Sequence, residues 1–135
     1  MTTTCLFNVY GEVVGSARPR VTRHGTYIPK KTREFRKRIQ EAFAAQCGGR
    51  FAPIEGPIHL EIIVRRSLPK SRPKKVVSEP DTFKPDTDNI AKNVMDALNG
   101  IAWKDDSQIT YLSVHKRPRM RVPEQITVYI SASDT

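Results

Sequence analysis

Ile58-His59-Leu60-Glu61-Ile62-Ile63-Val64-Arg65 is the stretch from which the fold can be read. Ile58, Leu60, Ile62 and Val64 alternate with His59, Glu61, Ile63 and Arg65, so an extended chain here has one wholly apolar face. A strand of that kind packs one side on a core. Upstream, Thr32 is a plausible N-cap to a run free of Pro and Gly as far as Gly48-Gly49. Phe35, Ile39, Ala42, Phe43 and Gln46 share one face of that helix. Downstream, a helix beginning near Asp86 or Asp88 and ending at Asn99-Gly100 carries Ile90, Val94, Ala97 and Leu98 as its apolar stripe.

Further out, Cys5 to Val14 reads as a strand with imperfect alternation, Gly15 to Gly25 as a loop or irregular hairpin, and Tyr27-Ile28-Pro29 as a short extended piece. Residues 66–85 hold four prolines and six basic side chains and read as an exposed loop. Strands follow over Ile109–Val114 and Gln125–Ile130. The order strand, helix, strand, helix, strand, strand predicts an α+β fold. The expectation is a single small two-layer domain over residues 1–135, with two main helices on one face of a mixed sheet.

The chain has 135 residues, 23 Lys and Arg against 14 Asp and Glu, and a formal net charge of +9. Such a surface attracts polyanions. No segment has the roughly 18 to 20 apolar residues that span a bilayer. Met1-Thr2-Thr3-Thr4 lacks the basic and apolar runs of a signal peptide, so the expected location is cytoplasmic, with no membrane partner. Cys5 and Cys47 match no zinc spacing and read as two buried or half-buried thiols. His24, His59 and His115 are not spaced as a metal triad and read as surface residues.

Against this basic background, five acidic residues crowd into the 21 residues from Asp86 to Asp106. Clustered carboxylates repel a polyanion unless a cation sits between them. Asp86 and Asp88 have a plain alternative, since acids at a helix start cap free N–H groups and complement the dipole. Asp105 and Asp106, after Trp103, are less simply explained that way. Magnesium takes oxygen ligands and keeps several waters, so two or three carboxylates suffice to hold it. The two pairs converge if the chain turns at Asn99-Gly100 and segment 101–106 runs back, extended, along a helix about 18 Å long. Asp96, well down the helix, reads as structural. Lys92, four residues after Asp88, is either an ion-pair partner or a cation for the scissile phosphate. Asn89 either caps the helix or bonds a carboxylate. Trp103 reads as core or as a wall beside the acids, with base stacking as the alternative.

Twenty of the 23 basic residues fall in three clusters: nine from Arg18 to Arg38 against the single acid Glu34, seven from Arg65 to Lys84, and four from Lys116 to Arg121. Arg18, Arg20, Lys30, Lys31, Arg72, Lys74 and Lys75 are the residues expected to touch DNA phosphates, contacts that position without reading sequence. The loop 66–85 leads directly into the acids and is the expected grip on the substrate.

The ordered block Lys84-Pro85-Asp86-Thr87-Asp88-Asn89, Lys92, Asp96-Ala97-Leu98-Asn99-Gly100 and Trp103-Lys104-Asp105-Asp106-Ser107-Gln108 resembles the RusA family of Holliday-junction resolvases (crossover junction endodeoxyribonucleases), small phage- and prophage-associated enzymes. Arg18-Pro19-Arg20, Gly25-Thr26-Tyr27 and Pro29-Lys30-Lys31-Thr32 also resemble many members. The resemblance implies a homodimer that cuts four-way DNA junctions with Mg²⁺, or Mn²⁺ in its place, by paired symmetric nicks. It implies that Asp86, Asp88 and Asp106 hold the metal, and that Asp105 and Lys92 matter for cleavage. Two other readings predict different behaviour. A non-catalytic nucleic-acid-binding protein would bind without metal-dependent turnover, and a metal nuclease for other branched DNA would prefer another substrate.

Overall fold

The strand read from Ile58 to Arg65 lies inside a four-stranded sheet, and its two-residue alternation buries one of its faces. In the computed structural model, which describes residues 2–17, 19–48 and 53–133, the strands are β1 (Thr2–Tyr10), β2 (Arg20–Thr22), β3 (Gly25–Tyr27), β4 (Ile58–Arg65), β5 (Ser78–Glu79), β6 (Ile109–Lys116), β7 (Arg119–Met120) and β8 (Gln125–Ser133). The helices are α1 (Lys30–Gln46) and α2 (Thr87–Leu98). The main sheet has the order β1-β8-β4-β6. β8 pairs antiparallel with β1 and β4, and β4 pairs parallel with β6. Parallel neighbours need a crossover, and α2 lies in it. The fold is α+β, with a mixed sheet and two helices.

One face of the sheet makes the core. Ile58, Leu60, Ile62 and Val64 from β4 join Phe7 and Val9 from β1 and Ile126, Val128 and Ile130 from β8, all buried. Phe35, Ile39 and Phe43 of α1 and Ile90, Val94, Ala97 and Leu98 of α2 complete one cluster with them. Phe7 meets Phe43 edge to face at 5.7 Å, a geometry the ring quadrupoles favour. The opposite face carries exposed His59, Glu61, Leu6 and Tyr111.

Three details differ from the sequence reading. α1 starts at Lys30 with Pro29 at its N-cap position, not at Thr32, which is buried inside the first turn. Proline's fixed φ suits it to a helix start. Cys5 and Cys47 are not free thiols: a disulfide joins them, 42 residues apart, with Cα atoms 6.1 Å from each other. The register that seats α1 on β1 through Phe7 and Phe43 brings them together. Finally, 66–85 is not a free loop, because β5 pairs antiparallel with β7 and Arg121 donates to the carbonyls of Arg72, Pro73 and Val76. Arg119 donates to Ser67 O in the same way. The basic cluster from Lys116 to Arg121 therefore serves largely to fasten this segment.

Candidate active site

α2 carries the first acids at its start. Asp86 is its N-cap residue in extended conformation, yet its carboxylate accepts no capping hydrogen bond. The helix begins through the backbone alone, with Ile90 N donating to Asp86 O at 3.1 Å. Asp88 lies in the first turn, and both side chains are exposed. Capping therefore does not account for Asp86, whose oxygens stay available. Lys92 stands exposed one turn beyond Asp88, and among the described residues it forms no ion pair. Asn89 neither caps nor bonds a carboxylate among the described contacts. Instead its carbonyl accepts from Ser16 N at 3.0 Å. Gly15 permits that approach, since a Cβ there would stand 2.6 Å from Pro85 Cβ.

The helix ends at Asn99 and turns at Gly100, whose φ of +80° is left-handed territory that suits glycine. The chain does not then run extended along α2. Gly100 N bonds Trp103 O, and Trp103 bridges to Ile54 and Asn99, so the segment stays at the helix C-terminus. A 3-10 turn, Asp106–Gln108, follows. Its cap is Asp105, which accepts from Ser107 N at 3.1 Å, while Gln108 Oε1 accepts from Asp105 N at 2.8 Å and closes a capping box. Gln108 Nε2 also donates to Ile54 O and Gly56 O. Asp105 is thus committed to the turn, a role visible in the order Asp105-Asp106-Ser107-Gln108, and Gln108, not among the residues expected at the site, helps to build it.

Asp106 is held differently. Trp103, fully buried, donates its indole N–H to Asp106 Oδ1 at 2.7 Å. Trp103 is therefore the wall beside the acid and has no exposed face for a base. Burial pushes the Asp106 carboxyl above its usual range, the Trp103 bond opposes this, and the charges of Asp96 and Asp105 add to it. Asp96 is structural, as expected. Arg36 Nη2 pairs with its Oδ2 at 3.0 Å while Arg36 Nε bonds buried Asn93 Oδ1 at 2.6 Å, locking α1 to α2.

The acids therefore form two sets at opposite ends of α2. Asp86 and Asp96 are about 15 Å apart along the axis at roughly 1.5 Å per residue, and Asp106 lies at the Asp96 end. Among the described residues no three of His, Cys, Asp and Glu are grouped to hold a metal ion within one chain. The expected return of segment 101–106 fails because Gly100 and Trp103 close a tight turn.

Of the residues expected on DNA, Arg20, Lys30 and Lys31 line one cavity of about 680 Å³ together with Gly15 and Tyr27. Arg18 lies outside the described residues. Lys30 and Lys31 make only exposed ion pairs, with Glu34 at 3.8 Å and Glu12 at 3.5 Å. Lys74 and Lys75 are exposed. Arg72 is half-buried, paired with Glu79 at 3.0 Å, and its guanidinium lies 5.9 Å from the Phe83 ring centre. No helix among the described residues is long and apolar enough to cross a membrane.

Comparison with known proteins assigns the chain to a family. The family model described as "Endodeoxyribonuclease RusA" matches residues 10–131. The chain is also 38% identical over 132 residues to the uncharacterized protein YqaN of Bacillus subtilis (strain 168), covering 86% of this chain and 92% of that protein. The match spans both acid sets, the hairpin of β2 and β3, all of β4 and β6 and most of β8, and on it the chain belongs to the RusA family of endodeoxyribonucleases.

Proposed function

We propose that the protein is a divalent-metal-dependent resolvase that cuts four-way DNA junctions by paired nicks, with Asp86, Asp88 and Asp106 as the metal-holding acids. The family match over residues 10–131 carries the reading. The free, exposed carboxylate of Asp86 at the helix start adds to it. These donors suit Mg²⁺ or Mn²⁺, which take hard oxygen ligands without any need for nitrogen or sulfur.

A bound ion would supply Lewis acidity toward the phosphoryl oxygen and a more acidic water. Asp86 and Asp88 would hold it from the helix start. The ammonium of Lys92, without a carboxylate partner among the described residues, offsets charge on the phosphate oxygens. Hydrolysis would form a bond from a water oxygen to phosphorus in line with the phosphorus–3′ oxygen bond that breaks, the 3′ oxygen leaving as a hydroxyl. Asp105 acts by building the turn that presents Asp106.

One chain keeps Asp106 away from Asp86 and Asp88, so a site using all three acids draws them from two copies. A homodimer supplies each set twice and gives two equivalent sites. Its two-fold symmetry matches a four-way junction, where paired cuts fall in opposing strands. The surface of Arg20, Lys30, Lys31, Lys74 and Lys75, with Arg18 and Arg72, grips phosphates.

The test is incubation with a synthetic four-way junction, a flap and a linear duplex, each with Mg²⁺ and with EDTA. Paired symmetric nicks in the junction alone, dependent on Mg²⁺, support the reading. Preferential cutting of the flap reassigns the substrate, and binding without cutting in any metal removes the enzyme reading.

A further inference from the structure

Just before Asp86, three charged side chains meet where water has little access. The Asp81 side chain has no exposed surface, and those of Arg66 and Lys116 are 12% and 10% exposed. Arg66 Nη1 lies 3.2 Å and Lys116 Nζ 3.4 Å from the same oxygen, Asp81 Oδ1. Two cations on one carboxylate leave a net positive charge. Asp81 Oδ2 and Arg66 Nε find no hydrogen-bond partner among the described residues. A buried ionic group satisfied only in part is a poor source of stability, and apolar residues of similar volume often do as well or better. Stability alone does not explain why this group is here.

Its other bonds supply a reason. Lys116 Nζ donates to Phe83 O at 2.5 Å and to Pro85 O at 3.0 Å, and Arg66 Nη1 donates to Phe83 O at 3.4 Å. Pro85 O belongs to the peptide group that carries Asp86 N. Since the Asp86 side chain makes no cap bond of its own, this peptide is held from outside the helix. Lys116 is the last residue of β6, and Arg66 directly follows β4. The sheet thereby fixes where α2 begins.

We propose that Lys116, Arg66 and Asp81 are positioning residues for the reaction. They clamp the 83–85 backbone to the sheet, set the direction in which Asp86 and Asp88 present their carboxylates, and hold surplus positive charge beside that pair. Asp81 fixes the two cations, Lys116 and Arg66 hold the carbonyls, and none of the three touches substrate. This inference rests on the reading above that Asp86 and Asp88 hold the ion.

The test uses the full chain with Arg66→Met, Asp81→Leu and Lys116→Met combined, which removes all three charges at once and leaves none unpaired. Lys116→Gln is the second variant, read in the same way if the triple variant does not fold. Mn²⁺ binding to the free protein is followed by electron paramagnetic resonance. Mg²⁺ half-activation is measured on a four-way junction, and junction affinity in EDTA. The expected result is a folded protein with unchanged junction affinity whose Mn²⁺ affinity and Mg²⁺ half-activation are weaker by about tenfold or more, the range for residues that orient metal ligands. A folded variant with wild-type Mn²⁺ affinity and wild-type half-activation overturns the inference while leaving the proposed function intact. A wild-type protein that neither binds Mn²⁺ nor cuts overturns both.

Discussion

The indole N–H of Trp103 donates to Asp106 Oδ1 at 2.7 Å, so the one tryptophan of the chain is both a fully buried core residue and the anchor of an acid three positions later. The bond favours the ionised carboxylate, while burial and the neighbouring Asp96 and Asp105 oppose it. In Trp103→Phe the donor is gone and the aromatic bulk is mostly kept. The Asp106 carboxyl then rises further, and the acid limb of the pH–cleavage profile moves to higher pH. A profile that scales down without shifting contradicts this role.

Asp106→Asn separates charge from packing. The folded-state pKa of Asp106 is raised, so its charged form costs stability above that pKa. The cost disappears as the pH falls below the unfolded value. At pH 7 the variant should have a melting temperature no lower than wild type, with the difference vanishing in acid, and should not cut DNA. Thermal melts across pH check the first statement and a junction assay the second.

Asp105 acts through its cap. Asp105→Ala should cost about 1 kcal/mol, the usual loss at an N-cap, and lower the melting temperature by several degrees. Cleavage should fall with it as the Asp106 turn loosens. Asp105→Asn keeps an oxygen for Ser107 N and should hold the wild-type melting temperature. Equal melting of the Ala and wild-type proteins rules out the capping role.

Junction binding should weaken steeply with salt. Each phosphate contact contributes about −0.9 to the slope of log affinity against log salt, so Lys74→Ala with Lys75→Ala should flatten it by about 1.8. An unchanged slope takes these two lysines out of the interface.

A site shared between copies makes a distinctive prediction for mixed dimers. Asp88→Asn and Asp106→Asn proteins should each be inactive alone. Mixed, they place an intact Asp88 from one chain with an intact Asp106 from the other at one of the two sites, so single nicks should return. No nicking in the mixture, with dimers verified by mass, argues for a site contained in one chain.

Much of this was legible in the sequence because it rests on short-range patterns. The alternation of Ile58 to Val64 and the stripe from Ile90 to Leu98 specify which faces are buried, and both appear as read. The ordered acids from Asp86 to Asp106 pointed to the family that the comparison bears out. What escaped depends on three-dimensional contacts. The turn that keeps Asp106 at the far end of α2 is fixed by Trp103 against Ile54, which is distant in sequence. The Cys5–Cys47 bond needs the packing of β1 on α1. Lys116 reads in the sequence as one of a basic cluster, and only the parallel pairing of β4 with β6 carries its ammonium to Pro85 O. Gln108 is readable in the sequence as the far end of a capping box, three residues after Asp105.

The most direct measurement compares wild-type and Asp88→Asn proteins on a four-way junction labelled on each strand, with products resolved on a denaturing gel. Wild type is predicted to nick two opposing strands symmetrically in Mg²⁺ and to leave the junction whole in EDTA, while Asp88→Asn binds it with comparable affinity and does not cut. Undiminished cutting by Asp88→Asn, or wild-type cutting that persists in EDTA, would contradict a metal held by these carboxylates.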